Sequence, residues 1–134
     1  KFSVGLTGHG MVDNYLYNNY NSNNGVLRAV KNPINFVGNV STNYLETGFQ
    51  NNRYLSDYYI ENASFFRLDN INLGYNFGNV LRNKTTLHVS ASVQNVFVIT
   101  NYSGNDPENA NSTGVDNNIY PRSRIYSIGA NLDF

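Results

Sequence analysis

Alternation of apolar and polar residues is the main structural signal along this chain. The opening KFSVGLTG places Phe2, Val4 and Leu6 on one face and small or polar residues on the other. Four stretches show this period of two, and each predicts a β-strand: residues 1–12, 58–77, 85–99 and 122–134. The pattern therefore predicts an all-β protein with antiparallel strands.

In the second of these stretches the apolar residues change from even to odd positions part-way along. Leu68 is at an even position, whereas Ile71 and Leu73 are at odd positions. One extra residue in a strand moves the side chains that follow it to the opposite face. We therefore predict a β-bulge near Asp69 and Asn70.

The connections between the predicted strands alternate between long and short. Residues 13–57 and 101–121 are rich in Asn, Gly, Ser and Asp and show no helical period beyond one turn, which predicts long loops. Residues 78–84 are short enough for a turn. Transmembrane barrels have short periplasmic turns and long outer loops, so the pattern favours membrane-spanning strands.

The third and fourth strands each have one polar and one apolar face. In a barrel the polar face lines the lumen and the apolar face meets lipid. The side chains predicted to line the lumen are His88, Ser90, Ser92, Gln94, Ser127, Asn131 and Asp133. The apolar face of the last strand carries Tyr126, Ile128, Ala130, Leu132 and Phe134. A soluble β-sandwich used for binding or adhesion would show the same alternation and is the alternative interpretation.

Composition and charge narrow the possible functions. Nine basic and nine acidic residues give a formal net charge of zero, so the chain lacks the basic surface that nucleic-acid binding needs. Charged residues make up only 13%, and there is no cysteine for a disulfide, a thiolate metal site or a nucleophile. No run of apolar residues is long enough for a membrane helix or a signal peptide, so an export signal is expected upstream.

Candidate chemistry is sparse. His9 and His88 do not have the spacing of a metal site, and no cofactor is expected. The stretch from Asp106 to Glu108, together with Asp116, offers oxygen ligands for calcium but is more simply a turn that begins at Asp-Pro. No catalytic set of residues is recognisable, so the chain is not expected to be an enzyme.

Two further groups of side chains leave alternatives open. Tyr54, Tyr58 and Tyr59 suit either an aromatic girdle at the membrane interface or stacking on sugars. Arg67 and Asp69 are charged and therefore costly in lipid, so we expect them to face the lumen or to lie near the interface.

Three blocks of sequence resemble SusC/RagA-type TonB-dependent transporters. They are YIENASFFRLDNINLGYNF, SVQNVFVITNYSGNDPE and GVDNNIYPRSRIYSIGANLDF, which together span most of residues 59–134. Residues 1–57 match only loosely. The resemblance implies the last four strands of a 22-stranded outer-membrane barrel from a Gram-negative type of cell, which imports large nutrients such as glycans or peptides.

The resemblance also implies several partners. They are the rest of the barrel with its plug, a SusD-like lipoprotein lid, TonB through the missing N-terminal part, membrane lipid, and the barrel assembly machinery, which would read the last strand as a signal. By resemblance, Asp106, Pro107 and Glu108 lie on the outer side, where the lid docks. Four strands cannot close a barrel, so the remaining strands, or other chains that pair with these four, would be required.

Overall fold

A computed structural model describes residues 1–30, 38–80, 85–108 and 113–133. The chain folds into two compact units. The first, here the strand unit, comprises Lys1–Met11, Phe65–Ile99 and Arg122–Phe134. The second, here the connection unit, comprises Val12–Ser64 and Thr100–Pro121. Within the described part of the chain, no helix has the length and apolar character needed to span a membrane.

The strand unit is one antiparallel sheet of four long strands. These are β1 (Phe2–Met11), β4 (Phe65–Val80), β5 (Thr85–Thr100) and β7 (Ile125–Asp133), in the spatial order β1-β4-β5-β7. They correspond to the four alternating stretches, because period-two sequences are most stable when a sheet separates their two faces. The predicted turn at 78–84 falls partly on β4, and residues 81–84 lie outside the described residues.

The predicted bulge is confirmed. Thr7 pairs with Asn70, but the next residue, Gly8, pairs with Leu68, so Asp69 is the extra residue in β4. Because of this extra residue, Arg67 and Asn70 lie on the same face, although three positions along a regular strand would place them on opposite faces. Without the bulge, the guanidinium of Arg67 would emerge on the apolar face.

The two faces of the sheet differ sharply in chemistry. The apolar face is exposed to an extent that a soluble protein rarely tolerates: Phe2 is 66%, Leu6 65% and Ile128 87% accessible. The described strands of this unit form a single sheet rather than the two facing layers of a β-sandwich. This architecture does not fit the β-sandwich alternative.

The connection unit has its own secondary structure. Its small sheet has the order β3-β2-β6, where β2 is Tyr15–Asn18, β3 is Ile60–Asn62 and β6 is Val115–Asp116. Its helices are α1 (Asn19–Asn24), α2 (Leu27–Val30), α3 (Tyr44–Thr47) and a 3-10 turn at Asp57–Tyr59. The two predicted loops therefore fold together as one compact unit rather than as separate irregular segments.

The core of the connection unit joins residues that are far apart in sequence. Leu16, Ala63 and Tyr102 form its buried apolar cluster. Asn18 is fully buried, and its side chain accepts a hydrogen bond from the backbone N–H of Asn21 at 3.0 Å, which caps the start of α1. These contacts supply what the short elements lack in intrinsic stability.

The long strand begins later than residue 58. Residues 57–59 form the 3-10 turn, 60–62 belong to the small sheet, and β4 starts at Phe65. The backbone N–H of Ser64 donates to the side chain of Asn62 at 2.8 Å, and this turn separates the two strands. Tyr59, which precedes this turn, is buried in the connection unit, which the alternation alone does not reveal.

Candidate functional site

The polar face of the strand unit brings together the side chains predicted to line a lumen. The register sets His88 opposite Asn131 and Ser92 opposite Ser127. Ser90 lies opposite Gly129, Gln94 opposite Ile125 and Asp133 opposite Thr86. Residues directly opposite each other in a sheet share a face. Apart from Ile125 at the start of β7, the two strands therefore present one continuous polar surface.

A glycine lets this surface continue across β4. A Cβ built on Gly74 would lie 3.3 Å from Nε2 of His88 and 2.5 Å from Oγ of Ser3. The position is buried, and a larger residue would displace the histidine ring. Gly74 therefore makes room for His88 on the polar face.

The bulge places a hydrogen-bonded pair of histidine and aspartate on the same face. Nδ1 of His9 lies 2.7 Å from Oδ2 of Asp69, and the ring of His9 packs edge-on against Phe65 with 5.5 Å between centroids. Arg67 is the residue of β4 that pairs with His9, and it is only 2% accessible. Both charges predicted to avoid lipid thus lie on the polar face.

Asn95 connects β4, β5 and the segment that leads into β7. Its Oδ1 accepts a hydrogen bond from Arg67 at 2.7 Å, and its Nδ2 donates to the carbonyl oxygen of Arg122. Its backbone has a φ of 52°, in the left-handed region that Asn tolerates better than most residues. A cleft of about 540 Å³ lies beside this group, lined in part by Asp69 and Gln94.

The apolar face of the last strand is continuous with that of β5. The register pairs Tyr126 with Val93, Ile128 with Ala91, Ala130 with Val89 and Leu132 with Leu87. Phe134, the final residue of the predicted assembly signal, lies outside the described residues. The remaining four positions share one face, as the alternation indicates.

The stretch predicted to contact a partner forms a turn. Asp106 is 2% accessible, and its Oδ1 accepts a hydrogen bond from the backbone N–H of Glu108 at 3.0 Å. Pro107 is buried and Glu108 is half-buried. The geometry is that of an Asp-Pro turn. Among the described residues, no group of three or more His, Cys, Asp or Glu side chains is placed to hold a metal ion.

The connection unit contains a cleft of about 560 Å³ whose walls are mostly amides and hydroxyls. One wall consists of Tyr20, Asn21, Ser41, Thr42, Asn43 and Glu46. The other consists of Ser103, Gly104, Asn105 and Asn118. Here the cleft is called the amide cleft. Its volume lies in the range typical of small-ligand sites.

Hydrogen bonds within one wall, between the walls and to Glu61 behind them fix the amide cleft. Nδ2 of Asn21 donates to Oγ of Ser103 at 3.2 Å, and Oγ of Ser41 donates to Oδ1 of Asn21 at 3.0 Å. Ser103 also donates its hydroxyl to Glu61 at 2.8 Å and its backbone N–H to the same carboxylate at 3.0 Å. The cleft is therefore held together across segments distant in sequence.

Gly104, in one wall of the amide cleft, is packed tightly against Tyr102 and Asp116. A Cβ at this position would lie 2.3 Å from the ring of Tyr102 and 2.7 Å from Oδ2 of Asp116. The hydroxyl of Tyr102 donates to that same carboxylate oxygen at 2.7 Å. Burial, together with this acceptor, raises the pKa of Tyr102 far above its usual value of 10.0.

Of the three tyrosines predicted as a girdle or a sugar platform, two belong to an aromatic cluster. Tyr59 is 1% accessible and packs edge-on against Tyr17 and Tyr58, so neither interpretation holds for it. The hydroxyl of Tyr58 donates to Glu46 at 2.7 Å, and this bond raises the pKa of Tyr58. Tyr54 is 68% accessible.

Comparison with known proteins gives the family. The chain is 37% identical over 140 residues to the TonB-dependent receptor SusC of Bacteroides thetaiotaomicron, and the match covers 100% of the chain. It is 41% identical over 101 residues to the TonB-dependent receptor P39 of Formosa agariphila, covering 67% of the chain. The chain belongs to the SusC/RagA type of TonB-dependent receptors. It spans 14% of SusC and 10% of P39, so it corresponds to a small part of such a receptor.

Solved structures of this receptor type share the fold. The RagAB peptide importer in its open-open state superposes with a TM-score of 0.73 at 24% identity, covering 99% of the chain and 16% of the importer chain. The closed-closed state gives 0.70 at 25% identity, with the same coverage. No family model matches the chain. The all-β fold is thus that of a section of a TonB-dependent transporter barrel.

The amide cleft is the part of the molecule that sequence reasoning missed. Its residues come from four separate stretches that carry no periodic signal. The available signals were local: Asn18 precedes α1 as a helix cap, and Asn118 has a φ of 58°. Such signals identify turns, but they do not show which turns meet.

Proposed function

We propose that the chain forms wall and outer connections of an outer-membrane transporter that imports large nutrients, either glycans or peptides. One observation carries the proposal: a single-layer sheet of the receptor type with one exposed apolar face and one continuous polar face. A sheet of this kind is stable where lipid covers one face and water or protein covers the other.

The polar face is the proposed lumen side. Its Ser, Asn and His side chains can hydrogen-bond to water, to cargo or to a plug inside the barrel. The paired His9 and Asp69 and the buried Arg67 would be costly on the lipid side, which agrees with this assignment. Lipid contact is assigned to the opposite face, which includes Ile128 and Leu132.

The proposed partners follow from the receptor type. They are the remaining strands and plug, TonB, a SusD-like lipoprotein on the outer side, and the assembly machinery that recognises the last strand. Because Asp106 and Pro107 are buried, Glu108 is the side chain of that turn best placed for a lid contact. A Glu108→Arg change is expected to weaken co-purification of the lipoprotein, with Asn51→Ala as the control.

Uptake measurements test the proposed function. A strain without the full-length receptor is grown on a panel of neutral oligosaccharides, acidic oligosaccharides and peptide mixtures, each as sole carbon source. The proposal predicts that growth on at least one is lost, and that it returns with the receptor only when TonB is intact. Unchanged growth on the whole panel, or rescue without TonB, would contradict it.

A further inference from the structure

We propose that the amide cleft binds a neutral oligosaccharide. The inference deepens the proposed function, because it rests on the receptor importing large nutrients and selects the neutral sugar class among them. It concerns one wall that includes Tyr20 and Glu46 and a facing wall that includes Asn105 and Asn118.

The lining matches the hydrogen-bonding character of sugar hydroxyls. A sugar hydroxyl both donates and accepts, and a carboxamide offers two donors and two acceptor positions side by side. Asn43, Asn105 and Asn118 line the cleft with such groups, and Thr42 adds a hydroxyl. Thr42, Asn105 and Asn118 are exposed, and Nδ2 of Asn105 donates a hydrogen bond to Oδ1 of Asn118, so the two amides are held side by side at the cleft surface.

An aromatic side chain completes the match. Tyr20 is 47% accessible and lies at the cleft. A tyrosine ring offers an apolar face on which the C–H groups of a pyranose can pack, while its hydroxyl remains free to meet water or sugar. One ring beside several amides favours a ligand with both apolar faces and many hydroxyls.

The charge of the cleft favours a neutral ligand. Glu46 is the only carboxylate among its described lining residues, and none of them is Lys or Arg. Uronic acids and sulfated sugars would meet a negative charge there without a cation to offset it. The cleft therefore selects against acidic oligosaccharides.

The origin of the lining residues favours sugar over peptide. They come from helical turns and loops, and none lies in β2, β3 or β6. Extended peptides are commonly held by a free strand edge together with pockets for apolar side chains. The amide cleft offers no strand edge and few apolar groups.

The cleft is also held in shape before any ligand arrives. Asn21 is 7% accessible and is hydrogen-bonded to Ser41 and Ser103, and Gly104 lies directly on Tyr102. A fixed site loses less conformational entropy on binding than a flexible one. The walls can therefore bind a ligand without first having to become ordered.

Binding by cleft variants tests the inference. The full-length receptor in detergent is titrated by calorimetry with neutral oligosaccharides, such as maltoheptaose, cellohexaose and mannohexaose, with oligogalacturonate, and with a tryptic peptide mixture. The variants are Tyr20→Ala, Asn105→Ala and Thr42→Ala. Asn51→Ala, an exposed asparagine outside the cleft, is the matched control, and circular dichroism verifies that each variant is folded.

We expect at least one neutral oligosaccharide to bind, and Tyr20→Ala or Asn105→Ala to weaken its binding by about tenfold, the usual effect of losing one ring contact or hydrogen bond. Asn51→Ala should leave binding within about twofold, since surface changes elsewhere are nearly neutral. Binding of oligogalacturonate or peptide alone, binding of no neutral sugar, or neutral binding unchanged in every folded cleft variant would overturn the inference.

The result is distinguishable from a failure of the proposed function. A receptor that imports peptides in a TonB-dependent manner and binds no neutral sugar would retain the transport function and lose only the assignment of the amide cleft. A strain whose growth does not depend on the receptor would contradict the transport function itself, whatever the cleft binds.

Discussion

At the scale of single residues, a few side chains reconcile a regular sheet with local irregularity. Asn95 adopts a left-handed backbone conformation within β5 and bonds to both Arg67 and the carbonyl of Arg122. Gly74 and Gly104 occupy places where a Cβ would collide with neighbours. None of these roles is visible from alternation, because each depends on a contact with a distant strand or loop.

Asn95 provides a test at this scale. Asn95→Ala is expected to lower the free energy of unfolding by about 1–3 kcal/mol, because it removes two hydrogen bonds and places a residue with a Cβ in the left-handed region. Asn95→Gly removes the same bonds but tolerates the backbone, so it should cost less. The measurement is the urea midpoint of the full-length receptor in detergent.

The order of the two Asn95 variants decides the interpretation. If the glycine variant is as unstable as the alanine variant, the backbone conformation contributes nothing. If both match the wild-type midpoint, the role assigned to Asn95 is wrong. Asn51→Ala serves again as the control for loss of an exposed amide.

At the scale of elements, the long strands were predictable and the connection unit was not. The parity change around Asp69 predicted the bulge because a sheet forces side chains to alternate strictly. The elements of the connection unit are short, with only three residues in β3 and two in β6. Such lengths carry too few periods to detect, and tertiary contacts through Tyr102 and Asn18 stabilise them instead.

The bulge gives a prediction for β4. Adding one alanine between Thr7 and Gly8 of β1 would give Asp69 a partner and remove the bulge, so β4 would alternate strictly and Arg67 would turn to the face that carries Ile71. We expect this added residue to prevent insertion of the full-length receptor into the outer membrane. Asp69→Ala keeps the residue count and loses only the contact with His9, so it should insert normally.

Fractionation of the outer membrane followed by immunoblotting measures this difference. Normal amounts of the variant with the added alanine in the outer membrane would show that the bulge does not determine which face Arg67 occupies. Equal loss of both variants would instead assign the effect to the carboxylate of Asp69.

Tyr102 gives a pH-dependent prediction for the connection unit. Its pKa is raised in the folded state, whereas the unfolded chain ionises near 10.0. Protonated Tyr102 therefore stabilises the fold fully below pH 10, and the contribution falls as the pH rises above 10. Tyr102→Phe removes the titrating group and the bond to Asp116.

We therefore expect the variant to be less stable than the wild type at pH 8, and the difference between the two to narrow as the pH passes 10. Thermal unfolding of the full-length receptor followed by circular dichroism from pH 8 to 11 measures it. A difference that stays constant across that range would contradict a raised pKa for Tyr102.

At the scale of the whole molecule, the chemistry of the two sheet faces is the central feature. A single-layer sheet with Phe2, Leu6 and Ile128 exposed is not stable alone in water. The low content of charged residues and the alternation of apolar and polar residues in the sequence indicated a sheet with one apolar and one polar face. The sequence did not indicate the amide cleft, because that site forms only when two distant connections meet.

The most direct test is the environment of two adjacent positions on β7. Nitroxide labels are attached at Ser127→Cys and, separately, at Ile128→Cys in the full-length receptor in lipid bilayers, and their collisions with oxygen and with a water-soluble nickel complex are compared. Oxygen concentrates in lipid, whereas the nickel complex stays in water. The account predicts that the label at 128 collides mainly with oxygen and the label at 127 mainly with the nickel complex. Equal accessibility of the two labels to both reagents, or the reverse assignment, would contradict a sheet with one face in lipid and the other toward the lumen.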